Sequence, residues 1–99
     1  MIDDAIQIQN AGITLTTGAA STSGAIPNTL SGIKPNYVRI QSTAFCFVKF
    51  GVSGVAATSS DILLSPNESE IYKVNGNTYI AAIQQAAAGL LNIAPLEDL

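Results

Sequence analysis

Apolar and polar residues alternate along this chain in short runs, and the runs predict strands. Ile13 and Leu15 fall on one side of a ribbon whose other side is Thr14 and Thr16, the period-two pattern of a half-buried strand. The pattern returns at 37–42, where Val38 and Ile40 point inward between Tyr37, Arg39 and Gln41, and Pro35 keeps that strand from starting sooner. Residues 61–64 and 70–74 predict two more strands, with Pro66 and Asn67 as turn formers between them. Asn75-Gly76 separates two β-prone runs, and both residues tolerate positive φ, so the pair predicts a type I′ hairpin with 78–83 as the return strand. Around Ile6 and Ile8 the alternation is weak and fits either an edge strand or an extended arm. The run 18–24 holds only Gly, Ala, Ser and Thr, and is expected to form a mobile or partner-covered loop.

Two segments depart from simple alternation. Residues 44–50 are apolar on both faces, with Cys46, Val48 and Phe50 on one side and Phe45 and Phe47 on the other. Such a strand has to be covered twice. One face meets the domain's own second sheet, and the other needs a loop, the N-terminal arm or a neighbouring copy. Phe45 and Phe47 are therefore candidate subunit-interface residues. Arg39 and Lys49, expected on neighbouring strands of a hairpin that turns at Ser42-Thr43, join them as candidates for pairing with acidic residues across a subunit contact. In the second segment, Ile80, Ile83, Ala87 and Leu90 stand at helical spacing among good helix formers. The hairpin signal before it and the lack of an N-cap near Ile80 favour strands instead, with a turn at 86–89, a last strand from Leu90 to Ile93, and Pro95 as its end.

Turn residues recur every eight to twelve positions, the rhythm of a sandwich or small barrel. The predicted fold is all-β: a compact antiparallel β-sandwich, jelly-roll-like, of about eight strands. Residues 1–10 form an extended arm or edge strand, 11–95 a single domain, and 96–99 a short, loose tail unless it is docked.

Composition then narrows the function. Only 11% of the 99 residues are charged against 47% hydrophobic, where a soluble globular domain usually carries about 25% charged. A low-charge exterior rich in Ser, Thr, Ala and Asn favours an oligomer or a part of a larger assembly. The four basic residues, Lys34, Arg39, Lys49 and Lys73, are scattered through a chain of net charge −3, which argues against nucleic acid as a partner. No apolar run reaches the roughly 20 residues of a spanning helix, and the acidic start at Asp3 and Asp4 is unlike a secretory leader, so membrane partners are not expected and synthesis is expected in the cytoplasm.

Candidate chemistry is sparse. The absence of histidine removes the commonest general base and metal ligand, and Cys46 as the lone cysteine reads as a buried, inert thiol. The carboxylates show no calcium-loop spacing, and Gly51 to Gly54 lacks the Lys of a phosphate-binding loop. The expectation is a protein that is not an enzyme, with no catalytic residues, metal, cofactor or small-molecule substrate.

Tyr37-Val38-Arg39-Ile40, Cys46-Phe47-Val48-Lys49-Phe50-Gly51, the segment 56–64, and Glu70-Ile71-Tyr72-Lys73-Val74 leading to Tyr79-Ile80-Ala81-Ala82-Ile83 together resemble small structural proteins of tailed bacteriophages. The resemblance covers about the last 60 residues and rests on strand and turn residues in the sandwich rhythm. It implies a virion protein of the capsid-decoration or cement type, a homo-oligomer with a trimer favoured, assembled in the host cytoplasm and bound to the major capsid protein on the capsid exterior. On this reading Asp3, Asp4, Ile6 and Ile8 are candidate capsid contacts. A tail or head-completion component, or a small carbohydrate- or ligand-binding β module, are the alternatives.

Overall fold

A computed structural model of the chain describes residues 6–8, 12–29 and 32–98. Nine strands are present among them: β1 (Ile6–Ile8), β2 (Ile13–Thr16), β3 (Thr22–Ala25), β4 (Tyr37–Ser42), β5 (Cys46–Gly51), β6 (Ile62–Leu64), β7 (Glu70–Lys73), β8 (Tyr79–Gln84) and β9 (Leu90–Asp98). No described residue is helical. In the first sheet β1 and β2 both pair with β9, followed by β4 and β7; the second sheet runs β3-β8-β5-β6. β1 lies against Leu96 to Asp98 and β2 against Leu90 to Ile93, so the two occupy one edge end to end and each sheet is four strands wide. The all-β sandwich read from the sequence is the observed architecture.

The pairing is nested. β2 pairs β9, β3 pairs β8, β4 pairs β7 and β5 pairs β6, all antiparallel, as in one long hairpin with its tip between β5 and β6. Rolling this hairpin places successive pairs in alternate sheets, and the further pairs β4·β9 and β5·β8 hold the turns of the roll together. This is the strand order of a double-sheet jelly roll.

The core sits between the sheets and comes from alternating positions, of which the sequence marks Leu15, Val38 and Ile40 as inward. Val38 and Ile40 of β4, Leu91 and Ile93 of β9, Cys46 and Val48 of β5 and Ile80 of β8 are fully buried. Each large aliphatic side chain among them contributes roughly 1.5–3 kcal/mol by leaving water. Gly24 of β3 faces Leu15 across the sandwich, where a Cβ would come within 2.9 Å of Leu15 Cδ2. The small-residue run expected to be a loop therefore contains a strand: its backbone completes a ladder with β8, and its lack of side chains lets the sheets close.

Two connections also differ from expectation, each because a local turn serves a crossing between sheets. The Ser42-Thr43 turn leads from β4 in the first sheet to β5 in the second, so these strands are not a hairpin. Asn75 and Gly76 have φ of 52° and 79°, and Asn77 N–H donates to Val74 O at 2.9 Å, as a type I′ turn requires. Yet β7 and β8 belong to different sheets, so the turn is a corner of the roll.

Strand β9 does not end at Pro95 but continues to Asp98. Thr43 N–H donates to Leu90 O and Thr17 N–H to Gly89 O, so along β9 the even positions bond towards β4 and the odd ones towards β2. Pro95 is odd, and its missing donor falls in the interval between the β1 and β2 registers. Leu96, assigned to a loose tail by sequence, is buried and pairs with Tyr37.

Candidate interaction surface

The two outer faces of the sandwich differ in chemistry. On the first sheet, Tyr37, Arg39 and Gln41 of β4 lie beside Ala94 and Asn92 of β9, and Thr14 and Thr16 of β2 beside Asn92 and Leu90. The face is mostly polar. Arg39 Nη2 donates to Ser69 Oγ at 2.9 Å and to Gln41 Oε1 at 3.2 Å, and Ser69 Oγ donates to Gln41 Oε1 at 3.1 Å. A shallow depression of about 270 Å³ next to this cluster is lined by Thr14, Gln41, Ser42, Thr43, Leu90 and Asn92. Its lining is neutral and holds no aromatic ring on which a sugar would stack.

The outer face of the second sheet carries exposed Lys49 and Ser23 towards one end and is apolar at the other. Registers place Leu63 of β6, Phe47 of β5 and Ile83 of β8 side by side in one row across three strands. Leu63 is 48% exposed, Phe47 and Ile83 are half-buried, and Phe45, just before β5, is 44% exposed. The row reaches an edge of the sheet. Ile62, at the inward-pointing position of β6, is also 44% exposed because that side of the core ends there. Further along the face the chain covers itself: Val55 lies over Gly51, where a Cβ would meet it at 2.8 Å, and Ala57 N–H donates to Ser21 Oγ at 2.8 Å. Under this loop Ala81 is fully buried. The loop thus closes the Gly51 end of β5 and leaves the Phe45 end open.

The sequence candidates separate accordingly. Phe45 and Phe47 are brought together with Leu63 and Ile83, which the sequence did not single out. Those two belong to the row only through pairing of β5 with β6 and β8, and nothing local to residue 63 or 83 marks it. Arg39 and Lys49 are not on neighbouring strands: β4 is bonded to β7 and β9, β5 to β6 and β8. Arg39 lies on the polar face and Lys49 on the opposite one, so they form no single cluster. Ile6 and Ile8 belong to β1, paired with β9, which makes this part of the arm an edge strand. Asp3 and Asp4 lie outside the described residues.

Reactive groups are held inside. The Cys46 thiol is buried, and burial raises its pKa, opposed in smaller measure by the Ser42 hydroxyl. Ser42 Oγ, otherwise without a hydrogen-bond partner, is itself buried. Tyr72 donates its hydroxyl proton to Glu70 Oε1 at 3.0 Å and its ring lies 5.9 Å from that of Phe50. Its pKa is raised, first by burial and then by the bond to Glu70 and that group's charge. Among the described residues no three His, Cys, Asp or Glu side chains come together to hold a metal ion. In the comparisons with known proteins, no family model, no curated protein and no solved structure matches this chain.

Proposed function

We propose that this chain is a structural protein of a tailed-phage virion that decorates and stabilises the outer capsid surface as a homo-oligomer, with no catalytic role. The observation that carries the reading is the open apolar row of Leu63, Phe47 and Ile83, with Phe45 beside it, on an outer sheet face. Exposed contiguous apolar surface on a small β domain marks a place where another protein binds. The low charge supports the same reading, since it suits a surface that spends its life covered. The jelly roll suits it too, because a hairpin rolled on itself leaves two broad faces free for partners. The resemblance to phage cement proteins supplies the capsid as the partner.

The mechanism is mechanical. Each copy contributes a modest contact with the major capsid protein, and copies linked to one another turn several weak contacts into tight attachment through avidity. Co-sedimentation with mature capsids of the encoding phage tests this. Wild-type protein is expected to pellet with capsids and Phe47→Ser to remain in the supernatant while keeping its fold. A wild-type chain that never pellets with capsids, or that is found only on tails, sinks the reading.

A further inference from the structure

We infer that strand β6 is a self-pairing edge: it joins β6 of a second copy antiparallel about Leu63, fusing two four-stranded sheets into one of eight strands. The inference deepens the capsid-decoration reading and rests on it for the role of the resulting surface, though not for the pairing itself.

The argument starts from the backbone. Gln85 N–H donates to Phe45 O, so the odd residues of β5 bond towards β8 and the even ones, Cys46 and Val48, towards β6. Their partners are Leu64 and Ile62. Leu63, between them, therefore turns its N–H and C=O away from β5 to the open edge. A second copy related by a two-fold axis through this residue exchanges both bonds with it, Leu63 to Leu63. Natural edges are normally guarded by Lys, Pro, a bulge, a covering loop or a very short strand, and three-residue β6 has within it only the last of these. Along β6 the residues are Ile62, Leu63 and Leu64, with two of the three exposed and one on each side of the sheet.

The side chains agree with this register. Pairing about Leu63 sets Ile62 of one copy beside Leu64 of the other, so the exposed end of each core is covered by the other core. It sets Asp61 opposite Ser65, and the two Asp61 carboxylates stay several residues apart, so no like charges meet. It also acts on the outer face. Leu63, Phe47 and Ile83 already form one row, and the two-fold makes it an unbroken band of six apolar side chains, Ile83-Phe47-Leu63 followed by its mirror sequence. At the spacing of adjacent strands that band is about 24 Å long. A single copy offers half of it. Pairing thus assembles the flat apolar strip that a capsid surface would take.

Light scattering gives the mass, and amide hydrogen exchange gives the edge. Wild-type protein is expected at the mass of two protomers, with the Leu63 amide slowly exchanging. Leu63→Pro removes the donor from the edge without touching the bonds to β5, and is expected at the mass of one protomer. Should that variant not fold, the Leu63 amide of the wild-type chain decides alone. A mass of one or three protomers, or two protomers with a freely exchanging Leu63 amide, overturns the inference. Phe47→Ser is expected to keep the two-protomer mass and lose capsid binding. A wild-type pair that ignores capsids therefore removes the decoration reading and leaves the pairing intact.

Discussion

At the scale of single residues, the inward and outward positions of β2 and β4 and the two apolar faces of β5 were legible because a strand's side chains alternate whatever sheet it joins. The role of glycine was not. Gly24 is needed for the approach of Leu15, a contact between residues in facing sheets that no local pattern announces. Cys46 reads correctly as a buried hydrophobe, and its burial has a consequence in pH. A thiol whose folded pKa lies above its unfolded value keeps its proton longer in the folded state, so its contribution is complete below the ordinary thiol range and is lost as pH rises through it. Tyr72 acts in the same direction at more alkaline pH. Urea denaturation midpoints of the wild-type chain are expected to fall as pH rises above about 9. Cys46→Ala, less stable at neutral pH because of the volume it removes, is expected to show a shallower fall. Parallel profiles for the two proteins would refute the assignment.

Apart from β3 and the far half of β9, elements were legible in position and not in partnership. The Asn75-Gly76 signal located its turn and its conformation, because positive φ is a local property. It misassigned the strands on either side, because whether a tight turn ends a hairpin or rounds a corner between sheets depends on which ladders capture the flanking strands. Here β4 takes β7 and β5 takes β8. Pro95 shows the converse: a residue that usually ends a central strand is tolerated where one neighbour's register is interrupted. The corner also makes a prediction. Gly76 holds φ of 79° with open space around it, so a substitution there meets backbone strain and no collision. Gly76→Val is expected to lower stability by about 1–2 kcal/mol, the cost of a left-handed conformation for an L residue. Equilibrium urea unfolding measures it, and a change within error of zero would show that the corner relaxes.

For the whole molecule, the sandwich was legible from the rhythm of turns, while the two outer faces became distinct only when nested pairing put Leu63 and Ile83 beside Phe47. That nesting also orders the folding of the chain. Phe47 and Leu63 are 16 residues apart, Ile40 and Glu70 30, Gly24 and Ile80 56, and Leu15 and Leu91 76. Closing the outermost pair first pays for the longest loop at once, whereas zipping from the β5–β6 tip makes each later closure a small increment, since a doubling of loop length adds only about 0.6 kcal/mol. The tip should therefore be formed in the transition state and the β2·β9 edge added late. Folding should be slow for the chain's size, in the millisecond-to-second range typical of non-local β topologies. Stopped-flow chevrons at protomer concentrations below self-association separate the cases. Leu64→Ala at the tip is expected to slow folding, and Leu15→Ala at the far edge to leave folding nearly unchanged and speed unfolding. If Leu15→Ala slows folding as strongly as Leu64→Ala, the roll closes as a whole and the tip has no priority.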